Sequence, residues 1–91
     1  MPIYCAQVTL GTAVSVVAGQ DNMIQDVWVH NTNHGGSTYA VLGGDNVGTA
    51  TGMHLHSDET LMFTLGPGDT LYGISGQGSP TLAVMRIQKK D

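Results

Sequence analysis

This sequence predicts an all-β fold, an antiparallel β-sandwich of jelly-roll type or a small barrel. Three observations predict it. Short runs of β-prone residues recur at spacings of roughly 8–12 residues, the rhythm of about seven or eight short strands. Turns rich in Gly, Asn, Asp and Pro separate them. No window carries the i, i+3, i+4, i+7 spacing of an amphipathic helix. A chain of 91 residues has material for one domain, so residues 1–91 are expected to fold as one sandwich. An extended arm at residues 1–5 and a polar tail at residues 88–91 flank it.

The elements follow in order. Ile3 to Leu10 opens with β-prone residues, and Gly11 breaks the run. Thr12 to Val17 gives a second strand, with Val14 and Val16 on one face and Ala13, Ser15 and Val17 on the other; Ala18–Asn22 reads as a turn. Gln25 to His30 alternates, with Val27 and Val29 pointing one way and Asp26, Trp28 and His30 the other. Asn31–Gly36 is a loop tip, built of residues that tolerate positive φ. Ser37 to Leu42 is the fourth strand, and the Thr- and Gly-bearing stretch Val47–Leu55 reads as an extended edge segment. In Thr60–Leu65 the side chains of Leu61, Phe63 and Leu65 share a face. Gly66-Pro67-Gly68-Asp69 reads as a tight hairpin turn, because Pro presets φ and Gly supplies the positive value. Thr70–Ile74 and Thr81–Ile87 close the domain.

Composition narrows the function. Folding at this length buries only about 60–65% of the extended chain's surface, so subunit association is the expected source of added stability. Charged residues are 11% of the chain, against a usual share of about a quarter. The polar surface is therefore Thr, Ser, Asn, Gln and Gly, and it lacks the Lys and Glu that are depleted at protein contacts. The net charge of −4 argues against nucleic acid, since the only basic residues are Arg86, Lys89 and Lys90 and no basic stripe can track phosphates. These three read first as a solvated tail and second as an anchor on an acidic partner. Cys5 is alone, which excludes an intrachain disulfide and makes a buried, inert thiol the expectation. Met1-Pro2-Ile3-Tyr4 lacks the basic start and apolar run of a signal peptide, and no segment approaches the ~20 apolar residues of a membrane span. A soluble protein made in the cytoplasm, with no membrane partner, is expected.

Catalytic chemistry finds little support. No Gly-x-Ser-x-Gly elbow occurs and Cys5 has no neighbouring His; the Gly pairs do not lie between a strand and a helix, so they are turn residues rather than phosphate cradles. The expectation is no enzyme and no cofactor. One constellation points elsewhere: His54-Leu55-His56 puts two imidazoles on one face of an extended segment, with Glu59 three residues on, a spacing that can serve one metal. His30 and His34 are candidates to approach from another strand. Gly48–x5–His54–x–His56–x2–Glu59–x6–Gly66 resembles the first metal-binding motif of the cupins, one residue short between the second His and the Glu. The second cupin motif has no counterpart, and no His follows Gly66. Exposed polar positions flanking Leu55 are the plainer reading, and a small cupin-like metal-binding domain using His54, His56 and Glu59 is the alternative. Trp28 and Tyr39 read first as core residues and second as interface anchors.

Asn33 through Ile87 resembles small virion proteins of tailed bacteriophages, especially head decoration (cement) proteins. An Asn/Gly-rich loop precedes Tyr39-Ala40-Val41-Leu42-Gly43-Gly44; Asn46-Val47 leads to Gly52; the acidic turn Ser57-Asp58-Glu59 enters Leu61–Leu65; and Gly66-Pro67-Gly68-Asp69-Thr70-Leu71-Tyr72-Gly73-Ile74 precedes a Gly-rich turn and a last apolar strand. His54 and His56 depart from that pattern. The resemblance implies a β-sandwich on the capsid exterior that binds the major capsid protein and stabilises the head, often as a homotrimer, without catalysis. A head-fibre, neck or tail accessory role is the alternative within virion proteins.

Overall fold

A computed structural model describes residues 3–89. Among them are eight strands and no helix: β1 (Ile3–Thr9), β2 (Ser15–Ala18), β3 (Ile24–Asn31), β4 (Tyr39–Gly43), β5 (Met53–Leu55), β6 (Thr60–Leu65), β7 (Leu71–Gln77) and β8 (Thr81–Lys89). They form two four-stranded sheets, a first in the order β1-β8-β3-β6 and a second in the order β2-β7-β4-β5. Every pairing is antiparallel. The two sheets do not close into a barrel. Nearly every connection crosses from one sheet to the other, β4–β5 being the exception, and this is the double-layered jelly roll.

The core lies between the sheets. Val27 and Val29 of β3, Leu82 and Val84 of β8 and Leu65 of β6 meet Ala40 and Leu42 of β4, Leu55 of β5 and Leu71 of β7. The alternation expected for β3 holds: Val27 and Val29 are fully buried and Trp28 points away. Leu61 and Phe63 pack on the core from the Leu65 face of β6, as expected. β4 departs from alternation, because Val41 is buried along with Ala40 and Leu42. The segment before β5 covers its outer side, where a Cβ on Gly52 would come within 2.8 Å of Val41 Cγ1.

Four sequence expectations change. β2 begins at Ser15 and takes in Ala18, and a register shift between Val16 and Ala18 turns both Val17 and Ala18 inward. Only Met53–Leu55 of the expected edge segment is a strand; Val47 is drawn inward against Gly43, and the Gly48–Thr51 bridge closes the excursion. Gly66–Asp69 is a tight turn, with Asp69 N donating to Gly66 O at 3.1 Å, Gly66 N to Asp69 Oδ2 at 2.9 Å, and Gly68 at φ 85°. It is not a hairpin, since β6 and β7 lie in different sheets and each turns its leucine, Leu65 or Leu71, into the shared core. Residues 3–5 of the expected arm begin β1, and Gln88 and Lys89 of the expected tail end β8; residues 1–2 and 90–91 lie outside the described residues.

The packing at Gly73 has a testable consequence. A Cβ there would lie 2.8 Å from Val17 Cγ2, 3.0 Å from Leu10 Cδ1 and 3.1 Å from Leu42 Cδ2. Gly73→Val is therefore expected to cost about 1–3 kcal/mol by overpacking, read as a lowered denaturation midpoint with an unchanged slope.

Candidate interaction surface

The histidines do not gather into a site. His30 lies on the outer face of the first sheet, its Nδ1 2.8 Å from Thr60 Oγ1. His34 pairs with Asp58 at 2.5 Å in an exposed loop. His54 and His56 share the outer face of the second sheet, with ring centroids 5.9 Å apart in an edge-on arrangement. Tyr39 touches both, at 5.1 Å from each, and its ring lies over Gly76, where a Cβ would have no room. Glu59 is engaged by the turn: Oε1 accepts from the His56 backbone N–H at 2.7 Å and sits 3.3 Å from His56 Nδ1. That backbone hydrogen bond, more than the imidazole, holds the Glu59 carboxyl below its ordinary 4.5. No three His, Cys, Asp or Glu side chains converge as a metal site among the described residues.

The outer face of the first sheet is different. Strand register lines up Cys5, Met85, Trp28 and Met62 in one row across all four strands. Trp28 is 39% exposed and Met62 47%, and Cys5 is exposed. Beside them the small side chain of Ala83 leaves a shallow hollow of about 510 Å³, walled by Trp28, Met85, Cys5, Gln7 and His30. The neighbouring rows are Gln7-Ala83-His30-Thr60 and Ile3-Ile87-Asp26-Thr64. Only Asp26 in these rows is charged, and Lys89 Nζ meets it at 2.7 Å. An apolar row bordered by neutral polar side chains has the composition of a contact surface.

Several sequence expectations are corrected here. Trp28 is on the outer face and not in the core. Cys5 is exposed rather than buried, because β1 is an edge strand whose residues are nearly all exposed. Arg86 and Lys89 are not tail residues: Arg86 lies 5.6 Å over the Tyr4 ring and Lys89 binds Asp26. Lys90 lies outside the described residues. Met62 and Met85 were not singled out by the sequence, although Met62 falls on the face opposite Leu61, Phe63 and Leu65, and that alternation was the signal.

The Asp26–Lys89 pair carries a pH dependence. The hydrogen bond from Lys89, then that from Thr64 Oγ1 at 2.9 Å, holds the Asp26 carboxyl below 3.8. Its contribution is present above pH 3.8 and is lost as pH falls through the lowered value. In Lys89→Met the Asp26 pKa is expected to rise toward 3.8 in a carboxyl NMR titration, and acid unfolding is expected to begin at higher pH.

No family model matches the sequence, and no curated protein matches it. Among solved structures the chain is similar to one from the Bacillus endospore appendages, described as a novel family of disulfide-linked pili. The TM-score is 0.58 at 14% identity, over 98% of this chain and 87% of that one. At that identity the likeness establishes a shared β-sandwich fold.

Proposed function

We propose that this chain is a non-enzymatic structural protein, a decoration protein on the exterior of a tailed-bacteriophage capsid. It binds the major capsid protein lattice through the outer face of the first sheet and stabilises the head. The observation that carries this reading is the apolar row Cys5-Met85-Trp28-Met62 on a face where Asp26 is already paired with Lys89. Binding the assembled lattice better than its separate subunits stabilises the shell by mass action, and many copies on one shell add avidity. The Asn33–Ile87 resemblance supports the virion setting. Self-association, as a homotrimer on the particle, completes the proposal, and a head-fibre, neck or tail accessory position is its nearest variant.

A filament subunit is the second reading, favoured by the fold shared with the endospore appendage chain. Its chemistry would differ from that of a disulfide-linked pilus. Cys5, the one cysteine of residues 1–91, joins two chains at most through a Cys–Cys bond, so a filament built on this domain's own contacts would be held noncovalently. The test is co-sedimentation of the purified chain with heads assembled from the major capsid protein encoded in the same genome. Retention on the heads supports decoration; long polymers without head binding support the filament.

A further inference from the structure

The two sheets treat their edges differently. In the second sheet the edge strands are β2, four residues with a register shift, and β5, three residues. Short length and bulges are devices that stop an edge from pairing with another chain. The first sheet has neither. Its edges, β1 and β6, are seven and six residues long, keep continuous register with their neighbours, and contain no charged residue or proline.

We infer that β1 of one copy pairs antiparallel with β6 of the next, joining first sheets edge to edge in a head-to-tail contact. Direction permits this. β1, β8, β3 and β6 alternate, so β1 and β6 run opposite ways and a translated copy continues the alternation. Side-chain chemistry selects the register. Straight continuation of the rows sets Phe63 beside the next copy's Tyr4 and Leu61 beside its Ala6. Phe63 and Leu61 are only partly buried, and Tyr4 and Ala6 are exposed although they lie on the core side of the sheet. The same register sets Met62 beside Cys5 and Thr60 beside Gln7, apolar against apolar and polar against polar, as cross-strand pairs prefer. Such a contact is heterologous, so it closes into a ring or extends as a filament. It also leaves the outer face of the sheet free. The inference specifies the surface for the self-association proposed above and does not depend on capsid binding.

Native Cys5 makes the contact testable. Directly opposed residues on antiparallel strands have Cα atoms about 4.5–5.5 Å apart, within disulfide range. Within one chain, positions 5 and 62 lie on opposite edges, separated by three strand spacings of roughly 4.8 Å, so they cannot join each other. Mild oxidation of Met62→Cys is expected to give a ladder of linked chains on a non-reducing gel, ending at a closed ring or continuing as a filament. Met62→Cys with Cys5→Ser is expected to give no ladder. Gln7→Lys with Thr60→Lys, which sets like charges face to face, is expected to cut ladder formation at least tenfold; Gln7→Lys with Thr60→Glu is expected to restore it. Monomers only, or dimers linked through Cys5 alone, would overturn the contact. Head binding that survives such a failure would leave the decoration reading standing.

Discussion

Asn31→Ala is expected to lose about 3 kcal/mol of folding stability, among the largest effects of any polar substitution in this chain. Asn31 ends β3 in the first sheet and is fully buried. Its Nδ2 donates to Leu55 O of β5 at 3.2 Å and to Thr38 O at 3.5 Å, and its Oδ1 accepts from Asn33 N at 3.0 Å. One side chain thus ties the first sheet to the second and fixes the loop between β3 and β4. Its removal takes one of the donors from the carbonyl of Leu55, which is also paired with Ala40 across the β4–β5 ladder, leaves the Asn33 amide without its side-chain acceptor and opens a hole in a fully buried position. An unsatisfied buried group costs about 1–3 kcal/mol. Thr32 is the contrast: its hydroxyl donates to Thr81 O at 2.8 Å in a less buried setting, and Thr32→Val is expected to cost about 1 kcal/mol. Urea titration checks both. A loss below about 1 kcal/mol for Asn31→Ala would mean that water reaches the Leu55 carbonyl.

Trp28→Ala is expected to weaken head binding by about thirtyfold or more, since truncating a central aromatic anchor at a contact costs at least about 2 kcal/mol. Folding should lose only about 1 kcal/mol, because Trp28 lies on the outer face of the sheet, 39% exposed, between Met85 of β8 and Met62 of β6 in register. Met62→Ala should weaken binding in the same direction and by less. Val16, 50% exposed on β2 of the second sheet, supplies the control, and Val16→Ala should leave binding unchanged. The split between stability and binding identifies a surface role: a residue needed only for folding would lower both together. Sedimentation at graded protein concentration, with thermal unfolding of the same variants, reads the two effects.

Much of the fold is legible in the sequence because alternation is local. The faces of β3 and β6 follow from valines and leucines two residues apart, and the turn at Gly66–Asp69 follows from its Pro and Gly. Pairing is not local. Nothing within Thr60–Ile74 says that β6 leaves for β3 while β7 joins β2 and β4, because that choice depends on which leucines meet across the core. Val47 sits among neighbours that look like an edge strand, but it is held inward against Gly43 of β4. In Asn31–Gly36 the positive φ values fall on Gly35 and Gly36, whereas Asn31 and Asn33 spend their side chains on hydrogen bonds to Leu55, Thr38 and Thr81.

The candidate interaction surface is half legible. Alternation puts Trp28 opposite Val27 and Val29, but the row it belongs to exists only once β1, β8 and β6 are set beside it. Cys5 in β1 and Met85 in β8 are 80 residues apart in sequence and paired in space. His54 and His56 stood out for the opposite reason, since their spacing is visible at a glance while the turn that engages Glu59 is not.

The most direct measurement is an electron-microscopy map of heads from the same genome with this chain bound. The chain is expected on the outside of the shell, with Trp28, Met62 and Met85 turned toward the major capsid protein. Bound chains that present the second sheet to the shell, with the first sheet's outer face open to solvent, would contradict it.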